Sequence, residues 1–122
     1  MKKLIGLTLL AATFAAPAFA DCSYPKAPSA MPDGTTAALE EMVAASKAVK
    51  AYNAEMDAYL GCIKLEQDGS LNKPGSTLTE EQKGQIAAMF AQKNNAAIDE
   101  LTAVAARLNE QIRVYKAKHP SK

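Results

Sequence analysis

The chain has 122 residues, 14 of them Lys or Arg, 13 Asp or Glu, with one His, two Cys and no Trp. That length is one domain. A formal charge of +1 lacks the basic excess of a dedicated nucleic-acid binder, so no nucleic-acid partner is expected.

The first twenty residues, MKKLIGLTLLAATFAAPAFA, open with Lys2 and Lys3 and continue through an apolar run over 4–16. Ala18-Phe19-Ala20 then offers the small-x-small pattern that signal peptidase accepts. This reads as a secretory signal peptide, 1–20, cut after Ala20. The apolar run is shorter than the roughly 20 residues of a membrane-spanning helix. Lipoprotein processing would cut directly before Cys22 after a small residue, but Asp21 stands there, so no lipid anchor is expected. The expected location is periplasmic or secreted. Removing Lys2 and Lys3 leaves 12 basic residues against 13 acidic ones, a mature charge of −1.

Residues 21–35, DCSYPKAPSAMPDGT, carry no helical or strand period and form a Pro-rich extended arm. Cys22 and Cys62 are the only cysteines, and an even count in a small exported chain favours a disulfide. The lengths fit a bond within one chain. A helix from Thr36 to Cys62 is about 39 Å long at 1.5 Å per residue. The arm from Cys22 to Thr36 spans about 43 to 46 Å when extended. It can therefore run back along the helix and pin Cys22 beside Cys62, with Tyr24, Ala27, Ala30 and Met31 resting on the helix surface. Pro25, Pro28 and Pro32 stiffen the arm and remove backbone donors. The alternative is a disulfide between two protomers. With no Cys-x-x-Cys, a thioredoxin-like activity is not expected.

The spacing predicts helix 1 over 36–66. Ala38, Met42, Ala45, Val49, Tyr52, Met56, Tyr59 and Ile63 follow one another by alternate steps of four and three. That heptad stripe marks a coiled-coil-like seam. Asp33 or Thr36 can cap its start, Glu40 and Glu41 favour the first turn, and Asp68-Gly69 is its expected end. Such a stripe is ordinarily core. Its other reading is a candidate interaction face for client chains through Met42, Val49, Tyr52, Met56, Tyr59 and Ile63, since Met suits adaptable binding.

Turn formers fill DGSLNKPGST, 68–77. Asp68, Ser70 and Asn72 alternate like calcium ligands. Lys73 and Thr79 then stand where a calcium loop needs Gly and Glu, so this reads as an interhelical loop. Helix 2 is expected over 79–118. Thr79 and Gln82 match a capping box, with Glu80 and Glu81 in the first turn. Ile98, Leu101, Ala105, Leu108, Ile112 and Tyr115 keep a 3-4 spacing, while Ile86 and Phe90 sit on another phase. Asn94-Asn95 lies where the phase changes, and a break there would make a three-helix bundle. His119-Pro120 is the stop. Arg107, Arg113, Lys116, Lys118 and Lys122 make a cationic end that suits the helix dipole. It supports at most weak contact with an anionic membrane surface.

The stretch LTEEQ, 78–82, resembles the Leu-Thr-x-x-Gln motif of the Spy-type periplasmic chaperones through Leu78, Thr79 and Gln82. The likeness covers about fifteen residues with one copy of the motif, where that family has two. The near-neutral mature charge departs from the family's basic cradle. The resemblance implies a periplasmic helical protein that binds clients.

No constellation for catalysis is written in the chain. His119, the only histidine, is beside the C-terminus. There is no phosphate-binding Gly-rich loop, His-Glu-x-x-His or Ser-centred elbow. Glu55 and Asp57 point to different sides of their helix. The expectation is an all-α antiparallel hairpin, 36–122, with its arm stapled to helix 1. It would act as an exported binding or chaperone-like protein without enzymatic chemistry or cofactor, partnered by a client protein or by itself. The alternative is a structural, envelope-associated subunit with no client activity.

Overall fold

A computed structural model describes residues 22–121. The signal-peptide reading of 1–20 lies outside the described residues. Two helices, α1 (Leu39–Leu71, 33 residues) and α2 (Glu80–Lys118, 39 residues), pack against each other as an antiparallel hairpin. The arm crosses it as an extended strap. No helix among the described residues is long and apolar enough to cross a membrane.

The stripe on α1 is what closes the hairpin. Met42, Ala45, Val49, Tyr52, Met56, Tyr59 and Ile63 are all buried, and Tyr52 and Met56 are the most enclosed. From α2 they meet Phe90, Ala97, Val104 and Leu108. Ala38, the first residue of the expected stripe, is instead exposed and stands at the N-cap, and Ala37 is buried beside it.

α1 begins three residues later than the spacing predicts because Asp33 organises a turn of its own. The Asp33 carboxylate accepts from Thr35 N at 2.8 Å, and its carbonyl accepts from Thr36 N and Ala37 N. Ala38 is extended, and with no side-chain cap available Glu41 reaches back to accept from Ala38 N at 2.7 Å. α1 also runs through Asp68-Gly69 to Leu71. Lys64 braces Asp68 at 3.7 Å one turn on, and the Asp68 carbonyl accepts from both Asn72 N and Asn72 Nδ2. The chain turns at Pro74-Gly75, where Gly75 takes φ +80°, a left-handed conformation open to glycine.

α2 starts as expected. Thr79 Oγ1 accepts from Gln82 N at 3.1 Å, and Thr79 N donates to Gln82 Oε1 at 2.9 Å. It ends at His119, whose ring stacks on Tyr115 at 4.3 Å. Between those points it does not break. Asn94 and Asn95 are helical, so the architecture is a hairpin and not a three-helix bundle. Each Asn costs well under about 1 kcal/mol of helix propensity, and packing of the flanking Phe90 and Ala97 offsets that. The phase does not change either. Phe90, Ala97 and Val104 recur every seven residues on the seam, while Ile98 is 44% exposed and Ala105 and Ile112 are half-buried.

The strap closes the hairpin on one side. Cys22 and Cys62 are bonded within the chain, Cα atoms 5.7 Å apart. From there the strap runs back toward the start of α1, with Pro25 buried and Ala27 and Met31 packed on the core. Ala30, expected against the helix, is exposed. The strap engages both helices rather than α1 alone. Tyr24 meets Tyr59 edge-on at 4.9 Å and donates its hydroxyl to Glu100 of α2. Gly34 N donates to Gln111 Oε1 at 2.8 Å. A Cβ at Gly34 would sit 2.1 Å from the Gln111 backbone oxygen, so only glycine permits this approach to α2.

Candidate functional site

The six residues of the candidate interaction face lie in the seam between the helices, none more than 8% exposed. A heptad stripe seeks an apolar partner, and α2 of the same chain supplies it. A client could reach Val49, Tyr52 or Met56 only by displacing α2, whereas Met42, Ile63 and Tyr59 each show an edge to a depression beside the seam. Cys22 and Cys62 are joined and no free thiol remains among the described residues.

The open surface lies elsewhere. At 100° per residue, Glu55, Ala58 and Cys62 occupy the flank of α1 under the strap, and Leu39, Val43, Ser46 and Lys50 the opposite flank. Along α2, Glu100 and Gln111 face the strap, and Ile98, Ala105 and Ile112 turn away from it. The strap therefore covers one side of the hairpin and leaves the other bare. On the bare side, where the start of α1 meets the end of α2, is a groove of about 410 Å³. Leu39, Met42, Val43, Ile112 and Tyr115 make its floor, and Lys47, Lys50 and Lys116 stand around it. Leu39 and Val43 are 59% and 43% exposed. A second depression of about 550 Å³ nearer the loop is more polar, with Lys64, Gln67, Asn94 and Asn95 in its walls.

Part of the signal for this groove was present in the sequence, since Ile112 lines it and continues the spacing of Ile98 and Ala105. Ile98, Ala105 and Ile112 are a flank stripe, one step beside the seam. Leu39 and Val43 extend the apolar arc of α1 in the same way. The lysines could not be assigned to one site, because Lys47 and Lys116 are brought together only by closure of the hairpin.

Under the strap, Glu100 acts on two phenols, on Tyr24 by a hydrogen bond and on Tyr52 by its charge. Glu100 accepts from Tyr24 at 2.5 Å and holds the Tyr24 pKa far above the ordinary 10.0, chiefly through that hydrogen bond. Burial raises the Tyr52 pKa, and the nearby Glu100 charge adds to the shift. The Tyr52 hydroxyl has no partner within hydrogen-bonding geometry. Because folding raises the Tyr24 pKa, its contribution to stability is whole below pH 10.0, the unfolded value, and is lost as pH climbs from there. Tyr24→Phe should therefore flatten the alkaline loss of stability. In an ultraviolet titration of the four tyrosines it should also remove one late-ionising phenol. An unchanged late phase would show that Glu100 does not hold the Tyr24 proton.

Among the described residues no three His, Cys, Asp or Glu side chains gather as metal ligands, and no charged side chain is buried. The groove offers surface and charge. No protein-family model, curated protein or solved structure matches this chain, and its own residues carry the functional reading.

Proposed function

We propose that this is a small exported binding protein of chaperone-like character, acting through a helical flank and not through bond chemistry. The observation that carries this reading is the apolar groove on the side of the hairpin that the strap leaves bare. Exposed Leu39 and Val43 give it a surface that can cover apolar segments of another molecule. The disulfide and the leader-like N-terminus support function outside the cytosol. The likeness of Leu78, Thr79 and Gln82 to the Leu-Thr-x-x-Gln chaperones points the same way.

The test is light scattering from an aggregating client mixed with equimolar oxidised protein. Aggregation should be suppressed, and Val43→Asp, an exposed change that puts a charge on the groove floor, should weaken that suppression. Undiminished scattering with the unsubstituted protein would overturn the client-binding reading. Retention with the envelope after a salt wash, without suppression, would favour a structural subunit instead.

A further inference from the structure

We propose that the groove at the α1 start and α2 end binds one single-chain anionic amphiphile, an acyl chain bearing a carboxylate. This deepens the binding reading above and rests on it. The floor is continuous apolar surface from Leu39, Met42 and Val43 on one helix and Ile112 and Tyr115 on the other. Along α1 the lining runs from Leu39 to Lys50, about 16 Å at 1.5 Å per residue, which suits an extended dodecyl chain. The volume of about 410 Å³ falls within the roughly 300–1,000 Å³ of small-molecule sites.

Charge selects the head group. Every lining side chain that carries a charge at neutral pH is a lysine: Lys47, Lys50 and Lys116. Among the described residues none of these three is ion-paired, whereas Lys64, Lys83, Lys93 and Arg113 each have a carboxylate within 3.9 Å. The chain as a whole is near neutral, so three unopposed cations around one apolar floor are a local concentration rather than a general bias. Lysine stems can lie along an acyl chain while their ammonium groups meet a carboxylate at its end. A cationic amphiphile would meet like charge at the same rim.

The experiment is calorimetric titration of the oxidised protein with dodecanoate below its micellar range. The glycerol monoester of the same acid and dodecyltrimethylammonium serve as neutral and cationic comparisons. Dodecanoate should bind saturably at one site, about tenfold tighter than the neutral ester. Lys47→Glu combined with Lys50→Glu should cost about tenfold in dodecanoate affinity and clearly less for the neutral ester, which loses only the contact of the lysine stems. Ser46→Phe, which fills the groove, should weaken both, with helix content by circular dichroism unchanged in each variant. Equal affinity for all three amphiphiles would overturn the proposal. So would indifference to the charge reversal, or binding seen only as co-sedimentation with phosphatidylglycerol vesicles. Absence of dodecanoate binding while Val43→Asp still weakens client suppression would sink the acyl ligand and leave the broader reading standing. Dodecanoate binding without client suppression would do the reverse.

Discussion

Replacing Cys22 and Cys62 together with serine should lower the unfolding free energy by about 4 kcal/mol, more than any other change considered for this chain. The bond closes a loop of 40 residues, and the chain-entropy account of a loop that long yields that figure. A further loss follows from geometry. Cys22 anchors the strap at one end and Gly34 on Gln111 holds it at the other. Without the anchor, the Tyr24 contacts with Tyr59 and Glu100 must be made by a segment tethered to the hairpin only at Gly34. Denaturant unfolding of the oxidised protein and the double variant measures the difference as a shift in midpoint. A loss below about 1 kcal/mol would mean that the strap is held by its own contacts and the sulfur bridge is incidental.

Met56→Ala should cost about 3 kcal/mol, within the range for truncating a buried methionine. Met56 is 0% exposed and belongs to the same cluster as Tyr52, Tyr59, Ala97 and Val104. Small residues on α2 let the helices approach closely, and they have no spare length with which to fill a cavity. Met56→Leu, which keeps the volume, should stay under about 1.5 kcal/mol. If alanine and leucine prove equally mild in urea unfolding, the seam is looser at Met56 than its burial implies. If alanine prevents folding altogether, the leucine variant still reports whether volume or the thioether matters.

The two halves of the hairpin were unequally legible in the amino-acid sequence. On α1 the seam is written in Met, Val, Tyr and Ile, and seven of eight expected positions are buried. On α2 the seam depends on Ala97 and Val104, while bulkier Ile98 sits one position away on the bare flank. Alanine is common on both faces of these helices, so its burial follows from how closely two axes approach, a tertiary quantity. The same difficulty left a break at Asn94-Asn95 open as an alternative to the continuous helix. Local propensity disfavours those residues, and the neighbouring seam holds them helical. The disulfide was readable because arm length and helix length can be added from composition alone. The engagement of the strap with Glu100 and Gln111 was not, since neither contact exists until α2 has folded back. The groove needed the same closure to bring Lys116 beside Lys47 and Lys50.

The strap reaches only as far as Cys62, and this makes the molecule mechanically lopsided. From Gly34 to Cys22 three segments are laced together, and the lacing ends on a covalent knot. Beyond it the hairpin tip, Ile63 through α1's end and the first turns of α2, is a bare two-ply rod. The bond ties the strap to α1 alone, so α2 can peel away from either end without meeting a covalent link. The groove takes Tyr115 and Lys116 from the last turns of α2, so its α2 wall depends on the grip of Gly34 on Gln111 and not on the sulfur bridge.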